Sequence, residues 1–304
     1  MAHWAKIQER GIGWGMRFLL KVYLLFGRKV LLFFLYPVVS YYWLLNKAGR
    51  QASQQYLQRL HSFNSDLHVK TGLPGSYLHF ISFANALIDK LAAWSGALTM
   101  DGVRYHGRDA VQHYLSKGQG VLMLGSHLGN LEVCRVVAWI SKRVTVNVLV
   151  HTHHAEKFNS VLNQYAKGGQ MNLIQVTEIT AATAMLLQDK VDAGELVIIA
   201  ADRVPVSGGR VSKTRFLGED AFFPQGPFIL ASLLKCPVFT LFCLKQQGLY
   251  HIYLDLFSEG LNFPRKRRDE LIQQCVEDYS QRLQDYCVKF PLQWFNFYDF
   301  WRQS

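Results

Sequence analysis

Short apolar runs alternate with amphipathic stretches along the chain from about residue 103 onwards. The runs have the length of strands, and the stretches between them repeat apolar residues at helical spacing. Predicted strands cover residues 121–125, 144–150, 173–176, 196–200, 238–244 and 250–256, and predicted helices cover residues near 130–141, 155–166, 179–192 and 269–288. This alternation predicts an α/β fold, with a mostly parallel central sheet flanked by helices.

A different pattern precedes this region. Residues 30–45 form a run of sixteen residues without a charge, with Pro37 near its middle and basic residues on both sides. A helix that crosses a bilayer needs about 20 apolar residues, so this run is short for a full span. We expect residues 1–50 to form a hydrophobic, basic-flanked membrane anchor that dips into the cytoplasmic leaflet. Residues 51–304 are expected to hold a collar of helices, up to about residue 98, and the α/β domain. A clean membrane span and a buried core helix are the alternative interpretations of the run.

The composition favours a membrane or an acidic protein over a nucleic acid as the anionic partner. The formal net charge is +11 at pH 7, which indicates an anionic partner without naming one. No nucleic-acid-binding module is recognisable, and an uncharged run of this length suits a bilayer better. The five cysteines form no Cys-x-x-Cys pair, so we expect reduced core thiols and no cysteine zinc site.

A glycine-framed histidine follows the predicted strand at 121–125. The stretch Gly-Ser-His-Leu-Gly places His127 at the edge where ligands bind in open α/β sheets. Imidazole can take a proton from a hydroxyl near neutral pH when a second group fixes its tautomer. Glu132, five residues later, is the expected second group. We also expect unpaired backbone N–H groups at Gly129 and Asn130, at a helix start, where they suit an oxyanion or a phosphate. A histidine that only caps a turn is the alternative.

A second polar pair ends the predicted strand at 196–200. Asp202 and Arg203 follow its apolar run and therefore lie on the same edge of the sheet as His127. Charged residues at such a place can simply begin a loop. Two polar strand ends that converge are more typical of a site than either one alone, and we expect both residues to bind substrate.

These motifs resemble those of a known family. The stretch from Gly125 to Glu132 is similar to the His-x4-Asp/Glu motif of the lysophospholipid acyltransferase-like superfamily, in the form found in the late (lauroyl/myristoyl) acyltransferases of lipid A biosynthesis. Ala201-Asp202-Arg203, followed by Phe216-Leu217-Gly218 and Gly226-Pro227, resembles the second block of that family. The resemblance extends from the hydrophobic N-terminus to about Trp301.

The resemblance implies an acyltransferase of the bacterial inner membrane, with its catalytic domain facing the cytoplasm. The implied donor is the thioester of an acyl carrier protein or of coenzyme A, and the acceptor is a lipid hydroxyl. Membrane phospholipids are a further expected partner, and no cofactor and no metal are expected. In this interpretation His127 removes the proton of the acceptor, and Glu132 orients the imidazole and stabilises its charged form. Helix N–H groups or Arg203 stabilise the oxyanion.

Two segments depart from the lipid A pattern. His151 begins the cluster His151-Thr152-His153-His154, where the lipid A enzymes commonly have an arginine. We expect this cluster to face headgroups or phosphate, and it leaves a membrane-associated, metal-dependent hydrolase as the alternative function. The aromatic tail from Gln293 to Trp301 is more similar to the branch associated with aryl polyene lipids, so the acceptor stays open. We expect this tail to pack, with interfacial anchoring as the alternative. A catalytically inactive membrane scaffold is the third candidate.

Overall fold

The computed structural model describes residues 12–94, 100–133, 144–150, 171–175, 180–204 and 208–302. Its helices are α1 (Ile12–Leu45), α2 (Lys47–Phe63), α3 (Gly72–Trp94), α4 (Arg108–Ser116), α5 (Ala181–Asp192), α6 (Gly226–Leu234) and α7 (Arg268–Lys289). Its strands are β1 (Val103–His106), β2 (Val121–Gly125), β3 (Val146–Val150), β4 (Met171–Gln175), β5 (Leu196–Ala200), β6 (Val211–Phe216), β7 (Glu219–Pro224), β8 (Val238–Gln246) and β9 (Leu249–Ser258).

Within the described residues, the central sheet has seven strands in the order β1-β9-β8-β2-β5-β3-β4. The five strands β8, β2, β5, β3 and β4 all run parallel to one another. β9 is antiparallel to β8 and parallel to β1, so one hairpin reverses the direction at one side of the sheet. The prediction of an α/β fold with a mostly parallel central sheet and flanking helices is confirmed.

The inner strands are apolar on both faces because both faces of the sheet are covered. Every residue of β2 is buried. Leu122 and Leu124 pack into one apolar cluster, and Val121 and Met123 pack into another on the opposite face. Strands that are buried on both faces have continuous apolar runs, which is why the sequence pattern predicted the bounds of β2 and β5 correctly.

The N-terminal helices contain two sharp changes of direction. α1 is interrupted at Gly27, whose φ of 75° and ψ of −178° are not helical, whereas Pro37 lies inside the helix. Among the described residues, no helix is by itself long and apolar enough to cross a membrane. The part of α1 from Val30 to Leu45 is long and apolar enough only when α2 is counted with it. The two helices meet at a bend of 91°.

A buried carboxylate ties α1 and α3 to the sheet. Asp89 of α3 is 3% exposed and accepts hydrogen bonds from Arg28 of α1, from Lys245 Nζ at 2.6 Å and from the Tyr250 hydroxyl at 2.6 Å. A buried charge needs such partners to offset the loss of hydration. These contacts fix the N-terminal helices to β8 and β9.

The apolar pattern did not predict β1, α4, the hairpin β6–β7 or α6. Phe223 and Pro224 end β7, and Gly226 begins α6. The helix predicted near 130–141 begins as one 3₁₀ turn, Leu131–Val133; its remainder and the helix predicted near 155–166 lie outside the described residues. The aromatic tail packs as expected, since Trp294 and Phe300 are both buried.

Candidate active site

His127 lies at the carboxyl edge of the sheet, two residues beyond the end of β2. β2 and β5 are parallel neighbours, and Gly125 is paired in register with Ala200. Asp202 therefore stands two residues beyond β5, at the position equivalent to that of His127. The backbone N–H of Ala201 donates to Gly125 O at 2.9 Å and holds the two strand ends together. The register of the sheet thus places the histidine beside the aspartate.

His127 and Asp202 form a hydrogen-bonded dyad. Asp202 Oδ1 lies 2.8 Å from His127 Nδ1, and Asp202 Oδ2 accepts the backbone N–H of His127 at 2.9 Å. Asp202 Oδ2 also accepts the indole N–H of Trp294 at 3.1 Å. The Asp202 side chain is fully buried, whereas 36% of the His127 side chain is exposed. His127 Nε2 has no hydrogen-bond partner among the described residues.

The charges around the dyad favour an ionised aspartate and a neutral histidine. Burial alone raises the pKa of Asp202, but His127 and Arg203 outweigh it and lower that pKa to about 2. Burial and the charge of Arg203 lower the pKa of His127, and the attraction to Asp202 opposes them. An ionised carboxylate can only accept hydrogen bonds, so Nδ1 carries the proton. Nε2 is therefore the basic nitrogen.

Arg203 is held beside the dyad by the aromatic tail. Its Nε donates to Asn296 Oδ1 at 2.7 Å, and its Nη2 donates to Phe295 O at 3.0 Å. The guanidinium carbon lies 5.4 Å from the centre of the Tyr298 ring. Burial lowers the pKa of Arg203, yet a guanidinium stays charged at neutral pH. A fixed positive charge therefore stands next to the base.

The prediction of unpaired backbone N–H groups at Gly129 and Asn130 is wrong. The Gly129 N–H donates to Gln293 O at 2.8 Å, and the Asn130 N–H donates to Cys243 O at 2.8 Å. The Asn130 side chain donates to Ala86 O at 2.9 Å. The loop after His127 forms β-bridges to the tail and to β8 where the sequence predicted the start of a helix. These N–H groups anchor the loop and are not available to an oxyanion.

Comparison of the sequence with protein families identifies the kind of enzyme. The model of the bacterial lipid A biosynthesis acyltransferase family matches residues 78–303, which include the dyad, Arg203 and the aromatic tail. The chain belongs to this family. It is accordingly an acyltransferase enzyme. No curated protein gives a match to the chain.

The described part of this lipid A acyltransferase family member does not include the side chains of two predicted site residues. The backbone of Glu132 belongs to the 3₁₀ turn Leu131–Val133, but its side chain is not described. His151 and the rest of its histidine cluster lie outside the described residues. The proposed roles of both residues stay predictions. Within the described ranges, no three His, Cys, Asp or Glu side chains are grouped so that they could hold a metal ion.

Sequence reasoning missed the tail residues that complete the site of this family member. Asp202, which was expected to bind substrate, is fully buried and hydrogen-bonded to His127 and Trp294. Asn296 Nδ2 lies 3.5 Å from Asp202 Oδ2 while Asn296 Oδ1 accepts from Arg203. The signal that could have indicated these residues is the presence of an indole and an amide, both hydrogen-bond donors, in an otherwise apolar tail.

Proposed function

We propose that this acyltransferase moves a fatty acyl group from the thioester of an acyl carrier protein or coenzyme A to the hydroxyl of a membrane lipid, with His127 as the general base. The observation that carries the proposal is the dyad. A buried, ionised Asp202 contacts Nδ1 of a neutral imidazole, and 36% of that histidine side chain is exposed. An imidazole in this state accepts a proton from a hydroxyl near neutral pH.

The proposed reaction needs no covalent enzyme intermediate. His127 Nε2 takes the proton of the acceptor hydroxyl while the hydroxyl oxygen attacks the carbonyl carbon of the thioester. The tetrahedral intermediate collapses, the C–S bond breaks, and the imidazolium returns the proton to the departing thiolate. The products are an ester and a free thiol, and His127 is again neutral. Asp202 stabilises the imidazolium between the two proton transfers.

Arg203 and Glu132 stabilise charge in this proposal. The oxyanion needs donors, and the backbone N–H groups of Gly129 and Asn130 are already hydrogen-bonded. Arg203 is a cation whose charge acts on His127, and one well-aimed donor lowers a transition-state barrier by about 3–4 kcal/mol. Glu132, from its place in the motif, adds a second negative charge that favours the imidazolium.

The surface of α1 supports attachment to a membrane. The part of α1 after Gly27 exposes large apolar side chains: Phe33 73%, Phe34 60%, Tyr41 66%, Leu44 62% and Leu45 65%. Aromatic and apolar side chains on one exposed helix suit the headgroup region of a bilayer. Lys47 and Arg50 follow, and a basic residue near the surface gains about 1 kcal/mol from anionic lipid. We place the protein at the inner membrane, attached through residues 1–50 and facing the cytoplasm.

The proposal also concerns the identity of the acyl donor and of the lipid acceptor. Exposed basic residues, among them Arg210 and the run Arg265–Arg268, support an acidic carrier protein as the donor. The resemblance of the aromatic tail to the aryl polyene branch makes a lipid of that pathway a second acceptor to test beside a lipid A precursor.

Mass spectrometry of cell lipids tests the transfer. We expect a lipid one acyl chain heavier than its precursor in cells with the wild-type protein and not in cells with His127→Ala. His113→Ala, which changes an exposed histidine on α4, is the matched control. Purified protein given dodecanoyl carrier protein or dodecanoyl-coenzyme A then identifies the donor. An unchanged lipid profile in His127→Ala contradicts the proposed base, and identical profiles with and without the wild-type protein leave only a scaffold.

A further inference from the structure

Four consecutive tail residues, Gln293–Asn296, contact the two loops that carry the dyad, and we call them the tail clamp. Gln293 O accepts the Gly129 N–H at 2.8 Å, and the Phe295 N–H donates to His127 O at 3.0 Å. Arg203 donates to Phe295 O and to Asn296 Oδ1. Trp294 contributes its indole N–H to Asp202 Oδ2 at 3.1 Å. The tail clamp is thus bonded to His127, to Asp202 and to Arg203.

Trp294 is itself fixed by residues that lie behind the site. The residue has no exposed surface, and its ring packs edge-on at 5.0 Å from Tyr56 and at 5.2 Å from Phe216. Its carbonyl oxygen lies 3.0 Å from His79 Nε2, and His79 Nδ1 lies 3.0 Å from Ser53 Oγ. The Trp294 ring is therefore held by α2, α3, the hairpin β6–β7 and the tail rings of Phe300 and Trp301.

We propose that Trp294 is a positioning residue for acyl transfer: its N–H holds the Asp202 carboxylate so that Oδ1 faces His127 Nδ1, and it limits how strongly that carboxylate attracts the imidazolium. The inference rests on the proposed role of His127 as the base. A hydrogen bond to Oδ2 draws negative charge away from the carboxylate. Without this donor, the carboxylate stabilises the imidazolium more, and the histidine binds a proton more tightly.

Trp294→Phe removes none of the other charged and titratable groups around the dyad. Arg203 and Lys90 face His127 as cations and lower its pKa. Tyr279 and Cys287 of α7 face Asp202, and burial together with the charge of Asp202 raises the pKa of both, so they stay neutral. Glu132 is the remaining carboxylate of the motif and is unchanged in Trp294→Phe and in Trp301→Phe.

Trp294→Phe and Trp301→Phe form a matched pair for the test. Trp301 also belongs to the aromatic tail, stacks on Phe216, and donates its indole N–H to the backbone oxygen of Phe216 at 3.3 Å. The rate of thiol release from dodecanoyl carrier protein, with a lipid A precursor as acceptor, is measured across the acid limb of the pH profile. We expect Trp294→Phe to lower kcat roughly tenfold with KM nearly unchanged, and to move the acid limb of kcat/KM to higher pH. Trp301→Phe should leave the limb in place.

The outcomes separate positioning from packing. An acid limb that stays at the wild-type pH in Trp294→Phe, whatever the loss of rate, overturns the proposal, and so does an equal shift in Trp301→Phe. If Trp294→Phe does not fold, 3-benzothienylalanine at position 294 keeps the shape of the ring and removes only the N–H, and the same shift is expected. Activity retained in His127→Ala means that the proposed function has failed. An inactive His127→Ala beside an unshifted Trp294→Phe means that only this inference has failed.

Discussion

Asp202 contacts His127 through both of its carboxylate oxygens, Oδ1 at the imidazole Nδ1 and Oδ2 at the backbone N–H. A single side chain therefore fixes the ring and the main chain of the histidine at once. Both contacts require an acceptor, and a carboxylate offers an acceptor at each of its two ends. A side chain of the same shape with only one acceptor cannot satisfy both contacts.

Asp202→Asn is expected to lower kcat by roughly two to four orders of magnitude with little change in KM. The amide has one acceptor oxygen, so its NH₂ group must face either the backbone N–H or Nδ1 of His127. In the second case the proton moves to Nε2, and the base is lost. Steady-state kinetics check the prediction, with Asp255→Asn, an exposed carboxylate bonded to the Tyr286 hydroxyl, as the control. Wild-type kinetics in Asp202→Asn would mean that the dyad takes no part in the reaction.

Glu132→Gln tests the second carboxylate of the motif separately. Asp202 already occupies Nδ1 of His127, so the role that we keep for Glu132 is to stabilise the imidazolium by its charge. We expect kcat to fall roughly ten- to a hundredfold, less than in Asp202→Asn, because the tautomer is preserved. Steady-state kinetics of Glu132→Gln measure this loss of kcat. A loss larger than that of Asp202→Asn would make Glu132 the principal partner of His127.

The acid limb of kcat/KM is expected below the ordinary histidine pKa of about 6.5. Burial and the charge of Arg203 lower the pKa of His127, so the neutral, active imidazole persists to lower pH than in free histidine. Activity is lost only as the pH falls through that lowered pKa. Arg203→Gln removes a cation and should move the limb to higher pH. A wild-type limb above pH 6.5, or a downward shift in Arg203→Gln, would contradict this account.

His79 should make the fold sensitive to acid. It is fully buried with both ring nitrogens hydrogen-bonded, and burial lowers its pKa from 6.5 to about 4. Between these two values the unfolded chain binds a proton that the folded protein does not, so stability falls as the pH falls. The loss is on the order of 3 kcal/mol.

Urea unfolding of the protein over this pH range measures the effect. His79→Gln should lower the stability at neutral pH but flatten its dependence on pH, because the titrating group is gone. His113→Gln, at an exposed position on α4, should keep the wild-type slope. If the wild-type protein, His79→Gln and His113→Gln lose stability equally as the pH falls, His79 is not the cause of the acid sensitivity.

Gly129→Ala is expected to destabilise the loop that carries the dyad. Gly129 has a φ of 80°, and an added Cβ would lie 2.0 Å from Cys243 O. Gly248 has a nearly equal φ of 83° and nothing within 4 Å of such a Cβ. Gly248→Ala should therefore cost about 1 kcal/mol for its backbone conformation alone. Gly129→Ala should cost roughly 2 kcal/mol more, since the contact between the loop and β8 must open. Equal losses in urea unfolding would show that the loop is not packed against β8.

The sequence was sufficient to predict that His127 and Asp202 share an edge of the sheet. Each follows a short apolar run that is buried on both faces, and runs of this length between turn residues are typical of strands in a parallel sheet. Their direct contact depends on the register between β2 and β5, which pairs Gly125 with Ala200. Apolar runs that are alike at every position do not encode a register. The dyad itself could therefore not be derived from the pattern.

The contacts of the tail and the hydrogen bonds of the loop N–H groups could not be predicted from the sequence, but for a different reason. Trp294 meets Asp202 across 92 positions of sequence, and an irregular segment carries no periodicity that predicts its partner. The same tail accepts the N–H of Gly129, so the expectation of free donors at that loop failed with it. Glycine and asparagine after a histidine are equally compatible with a helix start and with a bridged loop.

The tail clamp is also the last part of the candidate site to be synthesised. Residues 293–296 are translated after His127, Asp202 and Arg203, so a nascent chain can expose both strand ends while these four residues are still inside the ribosome. In such a chain Asp202 Oδ2 lacks the Trp294 donor, and the Arg203 guanidinium lacks its acceptors on Phe295 and Asn296. We therefore expect acyl transfer to reach its full rate only after the clamp has emerged, so that a chain stalled before it is slower than the finished protein even when the rest of the sheet has folded.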